Sequence, residues 1–329
     1  MTTEQKPLHT GFGFHTTAQE ALAGRDLHGK IAIVTGGHGG IGLETTRVLS
    51  KAGATVIVGA RNVEQAQQNV SQFNNVEVIP LDLSDPLSID AFAAEFLKSD
   101  RQLDILINNA GVTAPPEIKD FRGYDTQLAT NYLGHFQLTV KLWDALKKSG
   151  NARVVSLSSI GHMDGQVDLS DLNFNTRPYN TDISYGQSKT ACSLFAIELD
   201  KRGKEHGIRA FAVHPGGILT GLTRHLSDEV LALWGVHRDA AGNFITPEGF
   251  KTVEEGAATT ILCAANPMLE GKGGVYCEDG DIAELVPDDY SERRGVRSWA
   301  IDPALAESLW EQTEELLNIP HGTIPQASN

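Results

Sequence analysis

Short, wholly apolar runs alternate with longer segments of helical periodicity along most of this chain. Residues 30–35 form a β-branched run that ends in glycines, residues 41–52 carry apolar side chains at helical spacing, and Thr55-Val56-Ile57-Val58 is a second apolar run. The same alternation predicts a helix over 63–73, a strand over 76–81, a helix over 86–98 and a strand over 103–107. It continues with a long helix over 124–148, a strand over 152–157, a helix over 184–206, a strand over 208–213, a helix over 253–265 and a last strand over 274–277. Pro86 suits the first turn of its helix, where no backbone N–H is needed. Strands that are apolar throughout have both faces covered, and strands separated by helices run parallel. The expected fold class is therefore α/β, with three layers built around a doubly wound parallel sheet. No break in composition divides residues 28–329, so we expect a single domain behind an N-terminal extension of residues 1–27. The extension is polar and mixed apart from Gly11-Phe12-Gly13-Phe14. It is expected to wrap over the domain surface, with a short helix near 17–23.

Composition narrows the possible partners. The chain has 329 residues, 27 basic and 42 acidic, for a net charge of −15. Such a balance disfavours nucleic acid or an anionic membrane as the principal partner. No apolar run approaches the ~18 residues of a membrane span. Residues 1–28 lack the basic stretch and apolar core of a secretory signal. The cysteines, Cys192, Cys263 and Cys277, are odd in number and show no C-x-x-C spacing. They suit a reducing compartment, so a cytoplasmic location is expected. No His, Cys or carboxylate cluster has metal-site spacing, and no metal is expected.

Thr35-Gly36-Gly37-His38-Gly39-Gly40-Ile41-Gly42 lies between the first strand and the first helix. Glycines there let the backbone approach a pyrophosphate, and the helix N-terminus offers it free N–H groups, as in the Rossmann dinucleotide fold. Candidate cofactor contacts are Thr35, Gly36, His38, Gly39, Gly40, Ile41 and Gly42, with His38 either touching phosphate or lying in solvent. A carboxylate at the end of the second strand would hold the ribose hydroxyls of NAD. The chain has Gly59-Ala60-Arg61 instead. Arg61 can pair with a 2′-phosphate, so NADP (NADPH) is favoured over NAD. Asp82, followed by Leu83, either accepts from the adenine amino group or caps the helix at Pro86, for which Asp85 is better placed. Asn108-Asn109-Ala110-Gly111 follows the fourth strand, and its small residues suit a loop pressed against the cofactor.

Tyr185 and Lys189 stand four apart in a helical stretch and share one face. A nearby ammonium favours the phenolate and draws a phenol pKa, ordinarily ~10, toward the working range. Taken in order, Thr35–Gly42, Asp82, Asn108–Gly111, Asn131, Ser159, Tyr185 with Lys189, and Pro215-Gly216 resemble the short-chain dehydrogenase/reductase family over roughly residues 28–280. Residues 131–136 and 158–162 are similar to its retinol-dehydrogenase-like and protochlorophyllide-reductase-like members, as is the long gap between Ser159 and Tyr185.

The resemblance implies reversible hydride transfer between a nicotinamide and a carbonyl or secondary alcohol. It implies Tyr185 as general acid and base, Ser159 as the donor to the developing alkoxide, and Lys189 as the group that bonds the nicotinamide ribose and lowers the tyrosine pKa. Ser158 is the second choice for the serine and otherwise supports its loop. Asn131 is implied to hold a water linking Lys189 to solvent; a plain helix hydrogen bond is the alternative. Asn109, Ala110 and Gly111 are implied cofactor contacts, as are Pro215, Gly216, Ile218 and Thr220 after the sixth strand. Two departures stand out: Gly39 where relatives carry serine or a basic residue, and Cys192 where they carry asparagine.

Residues 221–250 resemble the family least. Leu222, Leu226, Val230, Leu231, Leu233 and Trp234 predict a short amphipathic helix where a lid sets substrate choice. The polar insert over 165–182 offers Phe174, Pro178 and Tyr179 to the pocket, and a helix over 303–317 is expected to pack on the core. The substrate expected is a medium-sized, partly apolar small molecule. The family habit of pairing long helices implies a homodimer or homotetramer. Competing functions are a non-catalytic NADP-binding regulator, an epimerase or lyase on the same fold, and a light-driven pigment reductase.

Overall fold

The computed structural model of the protein describes residues 3–326, except 116, 223–225, 227, 240, 243 and 246. In chain order the strands are β1 (Ile31–Thr35), β2 (Thr55–Ala60), β3 (Val76–Pro80), β4 (Ile105–Asn108), β5 (Ala152–Leu157) and β6 (Ile208–Val213). They continue with β7 (His237–Arg238) and β8 (Phe244–Ile245), a separate hairpin, then β9 (Val275–Glu278) and β10 (Asp281–Ile282). The central sheet has the order β10-β9-β6-β5-β4-β1-β2-β3. All its pairings are parallel except β10 with β9. Every residue of β4 and β5 is buried, which explains why apolar residues dominate them, with Asn108, Arg153 and Ser156 as the polar exceptions. This is the expected doubly wound α/β fold. The strand order reverses at β1, between β2 and β4, so the loops after β1 and β4 diverge and leave a crevice at the carboxyl edge.

Helices cover both faces. One apolar layer contains side chains of α4 (Pro86–Leu97), α6 (Gly134–Lys141), α8 (Thr181–Gly203) and α12 (Pro303–Leu316). The other contains α1 (Ala18–Ala21), α2 (Gly40–Lys51), α3 (Val63–Val70) and α11 (Ala258–Ala265). The single helix expected over 124–148 is not one helix. It is α5 (Thr126–Leu128), a π turn over Ala129–Leu133, α6, and then α7 (Trp143–Ser149) after a break at Leu142. The π turn inserts a residue without interrupting the apolar run, so hydrophobic spacing reads straight through it. The helix expected over 253–265 is likewise divided at Ala257 into α10 (Val253–Gly256) and α11. The short amphipathic helix expected between Leu222 and Trp234 is α9 (Asp228–Leu233), in which Leu231 alone is buried. None of the described helices is long and apolar enough to cross a membrane.

Residues 3–10 lie along the β9–β10 edge, and α1 packs on α2, α10 and α11. The Gln5 amide donates to Tyr276 O and Ala283 O at 2.8 and 2.7 Å and accepts from Tyr276 N at 2.9 Å. Asp281 accepts from Leu8 N and Thr10 N. Thr17 caps α1, and Asn266 holds its end through Ala21 O.

Helix α12 closes over α8 through aromatic contact and a buried α8 arginine that is itself ion-paired within α8. Trp310 stacks on Phe195 at 5.8 Å between centroids, and the Arg202 guanidinium lies 4.7 Å from the Trp310 ring centre. Arg202 Nε donates to Glu198 Oε1 at 2.8 Å, with both side chains almost inaccessible. Removing one partner strands the other charge out of water. Arg202→Ala is therefore expected to cost about 3–5 kcal/mol, read as a lower thermal midpoint; an unchanged midpoint would contradict this account of the α8–α12 contact.

Candidate active site

The crevice at the carboxyl edge is a cleft of about 500 Å³. It is lined by Thr35, Gly36, His38, Gly39, Gly40, Ile41, Gly42, Arg61, Asp82, Leu83, Asn109, Ala110, Gly111 and Thr220, as expected. Pro215, Gly216, Ile218, Tyr185 and Lys189 do not line it. Gly59, Ala60, Gln65, Asn69, Val112, Thr130, Gly221 and Leu222 do, although the sequence did not single them out as contacts. No motif marks Asn69, yet its amide donates to His38 O at 2.8 Å and fixes the loop.

Two glycines show why the loop needs its composition. Gly36 has φ +64, and a β-carbon there would press on Ala110. A β-carbon on Gly42 would stand 2.5 Å from Gly36 O, so the first turn of α2 can tuck under the loop only without one. Gly39 is the N-cap of α2 and supplies no side-chain cap, leaving the helix N–H groups open to the cleft. His38 Nδ1 is buried without a hydrogen-bond partner, and burial together with the Arg61 charge holds this imidazole below its usual range. Open helix N–H groups, an orphaned ring nitrogen and an exposed arginine at the end of β2 fit an anionic dinucleotide. Asp82 forms a turn with Ser84 through Oδ1, and its Oδ2 has no hydrogen bond among the described residues. Asp85 is the cap of α4.

Beyond Gly111 the second half of the site begins. Lys189 is 4% exposed. Its Nζ donates to Leu157 O at 2.9 Å and stands 5.7 Å from the Tyr185 ring centre. No carboxylate lies within ion-pairing distance of it among the described residues. The Tyr185 hydroxyl has no hydrogen bond among the described residues, so its proton and lone pairs are available. Asn131 sits in the π turn. Its amide donates to Val112 O and Ser188 Oγ, and its Oδ1 accepts from Val112 N at 2.8 Å. A β-carbon on Gly111 would meet both Asn131 Oδ1, at 3.2 Å, and Lys189 Nζ, at 3.6 Å. The two halves of the site therefore join at Gly111.

The two serines divide their work. Ser158 Oγ donates to Lys189 O at 2.8 Å and is wholly buried, a support for α8. Ser159 Oγ accepts from Gly161 N at 3.0 Å, which leaves its proton free to donate. A β-carbon on Gly161 would stand 2.9 Å from Tyr185 Cε1 and 3.4 Å from Ser159 Oγ, so the serine and the phenol ring meet across this glycine. The structure thus brings Asn131, Ser159, Tyr185 and Lys189 together. Of the residues after β6, Gly216 packs against the stem of Lys251, whose ammonium pairs with Asp279 at 2.5 Å, and Ile218 packs against Gly256. Phe174 is buried between Tyr179 and the Arg177 guanidinium.

Comparison with known proteins agrees with this geometry. The family model described as short chain dehydrogenase matches residues 30–231. The chain belongs to the short-chain dehydrogenase family. It is 42% identical over 299 residues to a Streptomyces antibioticus protein named "Probable oxidoreductase", covering 89% of this chain and 99% of that one. It is 40% identical over 299 residues to mouse "Retinol dehydrogenase 12", covering 89% and 88%. Among solved structures, the Pseudomonas aeruginosa RhlG/NADP active-site complex aligns with a TM-score of 0.59 at 27% identity, covering 78% of this chain and 96% of that one. As a short-chain dehydrogenase the protein is an oxidoreductase with a Rossmann fold that binds NAD(P).

Three histidines of this short-chain dehydrogenase were not assigned roles from the sequence. His135 Nδ1 donates to Asn131 O at 3.0 Å, and its Nε2 accepts from Thr35 Oγ1 at 2.8 Å, while that threonine oxygen accepts from Asn109 N and Ala110 N. His214 Nδ1 accepts from Ile160 N at 3.1 Å. His162 donates from Nδ1 to Ser159 O at 2.8 Å. Burial is the main cause that lowers all three, His135 and His162 to about 4 and His214 to about 3. Each has a partner far away in sequence, Thr35 for His135, Ile160 for His214 and Arg297 for His162, which no local pattern reveals. Glu278 runs the other way: burial lifts it to about 7.

These shifts set a pH dependence of stability. A histidine depressed in the fold contributes stability above its ordinary pKa of 6.5, which is lost as pH falls toward the folded value. Glu278, raised from 4.5, contributes below that value and loses its contribution as pH rises through about 7. Near pH 5 each histidine takes up nearly one proton on unfolding and Glu278 releases most of one, a net uptake of about two from these groups. Thermal midpoints are expected to fall steadily from pH 6.5 to 4; a flat profile over that window would contradict it.

Proposed function

We propose that the protein is an NADP(H)-preferring oxidoreductase acting on a carbonyl or secondary alcohol of a medium-sized, partly apolar molecule. The observation that carries this reading is the buried Lys189 ammonium four residues from Tyr185: among the described residues no carboxylate pairs with the ammonium and no group engages the hydroxyl. The bound nicotinamide would supply or accept the hydride. Tyr185 gives a proton to the oxygen as an alkoxide develops, or takes it in reverse. Ser159 donates its free proton to the same oxygen and stabilises charge as it forms. Lys189 holds positive charge 5.7 Å from the phenol ring centre, where it stabilises negative charge developing on the reacting oxygen, and is placed to bond the cofactor ribose. Asn131, fixed by both polar atoms of Val112, holds the floor beside Lys189 and is the candidate end of a proton route to solvent. Arg61 and His38 hold a 2′-phosphate, and the NADP in the Pseudomonas aeruginosa neighbour is in keeping with this preference.

Absorbance assays with NADPH and NADH against a panel of aldehydes and ketones test the reaction class. Tyr185→Phe is expected to lower kcat by about 10²–10⁴-fold; wild-type rates in this variant would remove Tyr185 as the acid.

Arg61→Ala tests the cofactor assignment separately. Losing a charge-assisted contact of about 1.5–3 kcal/mol should raise KM for NADPH about ten- to a hundredfold with little change for NADH. Equal changes for both cofactors would show that Arg61 does not read the 2′-phosphate.

A further inference from the structure

His162 is fully buried and every polar atom it has is engaged. Its backbone N and its ring Nδ1 both donate to Ser159 O, at 3.1 and 2.8 Å. Ring Nε2 accepts from Arg297 N at 3.2 Å, and its carbonyl accepts from Trp299 Nε1 at 3.1 Å and Thr190 Oγ1 at 3.2 Å. The Tyr276 ring packs on the imidazole at 5.1 Å between centroids. Arg297 is itself pinned: its Nη1 donates to Pro287 O at 2.6 Å and its Nη2 to Tyr290 O. Gly295 N, two residues before it, donates to Glu278 Oε1. The segment that grips His162 therefore lies far beyond residue 231, where the family match ends.

We propose that His162 is a positioning residue for Ser159, and that residues 285–299 complete the active site by locking its ring. This rests on the reading of Ser159 as the hydroxyl that meets the reacting oxygen. An imidazole that accepts at Nε2 from a backbone N–H must carry its proton on Nδ1. That proton, with the backbone N–H of the same residue, clamps the Ser159 carbonyl. The serine backbone is then fixed from one side while Gly161 N fixes Oγ from the other, and the hydroxyl proton keeps one direction, toward the Tyr185 face. A neutral ring does this without adding charge beside Lys189.

A double-mutant cycle with NADPH and a carbonyl substrate from the panel tests the idea. His162→Ala is expected to lower kcat about tenfold to a hundredfold, the scale of a misplaced catalytic group, with KM for NADPH unchanged. In a Ser159→Ala background the same change should cost almost nothing, because residues acting through one group are not additive. An equal loss in both backgrounds would reduce His162 to a packing residue and overturn the proposal. So would a Ser159→Ala enzyme with wild-type kcat, which would separately remove the serine's assigned role. His162→Asn places an amide N–H where Nδ1 stood and should recover much of the rate, whereas His162→Gln, which can mimic only Nε2, should not; the reverse order would overturn the proposal. Nitrogen-15 spectra of histidine-labelled protein need no substrate. They should show a neutral Nδ1–H ring near pH 5 that disappears in His162→Asn; an Nε2–H tautomer would end the argument even if His162→Ala fails to fold.

Discussion

A buried ammonium with no carboxylate partner among the described residues is the constraint around which this site is arranged. Taking a charge out of water is costly unless hydrogen bonds and local dipoles replace the lost solvent. Lys189 has the Leu157 carbonyl, which is the end of a central strand, and so its place is set by the sheet itself. A carboxylate beside it would have neutralised the charge and left nothing to act on Tyr185. The neighbouring titratable groups avoid competing. Its charge helps keep His135 and His214 neutral, and the Cys192 thiol, which donates to Asn131 O at 3.2 Å, is pushed up by burial. The phenol of Tyr185 is then the nearby acid with an unengaged proton.

Neutral imidazoles solve a second problem in the same place. The site is assembled from loops that follow four different strands, and each loop has backbone groups that must be satisfied away from water. An imidazole in one tautomer offers a donor and an acceptor on opposite sides of a rigid ring. His135 spans the end of β1, the loop after β4 and the π turn. His214 ties the loop after β6 to the loop after β5. His162 ties that second loop to the chain after β10. A lysine or arginine in any of these positions would add like charge beside Lys189.

What the sequence made legible follows from how local each signal is. The central strands could be read because burial on both faces leaves β1 and β4 apolar up to their last residues, Thr35 and Asn108. The glycine loop could be read because Gly36 is required by its own left-handed backbone and Gly42 by the carbonyl of Gly36, six residues before it. The π turn could not, since it changes hydrogen-bond register while Leu128, Tyr132, Leu133 and Phe136 stay buried. Gln5 gave no sign either, because an amide recognising the backbone of Tyr276 leaves no pattern around Gln5 itself. The resemblance places Pro215, Gly216 and Ile218 with the cofactor; none of the three lines the cleft, and Gly216 packs on Lys251 and Ile218 on Gly256. Ser158 and Ser159 were separable only in part by spacing; it took the Lys189 carbonyl and Gly161 N to show which hydroxyl is committed to structure.

The two halves of the site differ in what they ask of the chain. The nucleotide half is made mostly of backbone and small residues within one βαβ stretch, so a short motif suffices to specify it. The catalytic half depends on contacts across a hundred residues or more, from Thr35 to His135 and from His162 to Arg297. Its last supports come from segments outside residues 30–231: Gln5 brackets the backbone of Tyr276, whose ring packs on His162, and Trp299 and Arg297 close over the same histidine. The ends of the chain are thus part of what holds Ser159 in place. A chain cut to the shared family region would keep the glycine loop, Tyr185 and Lys189, yet lose the groups that fix the serine between them.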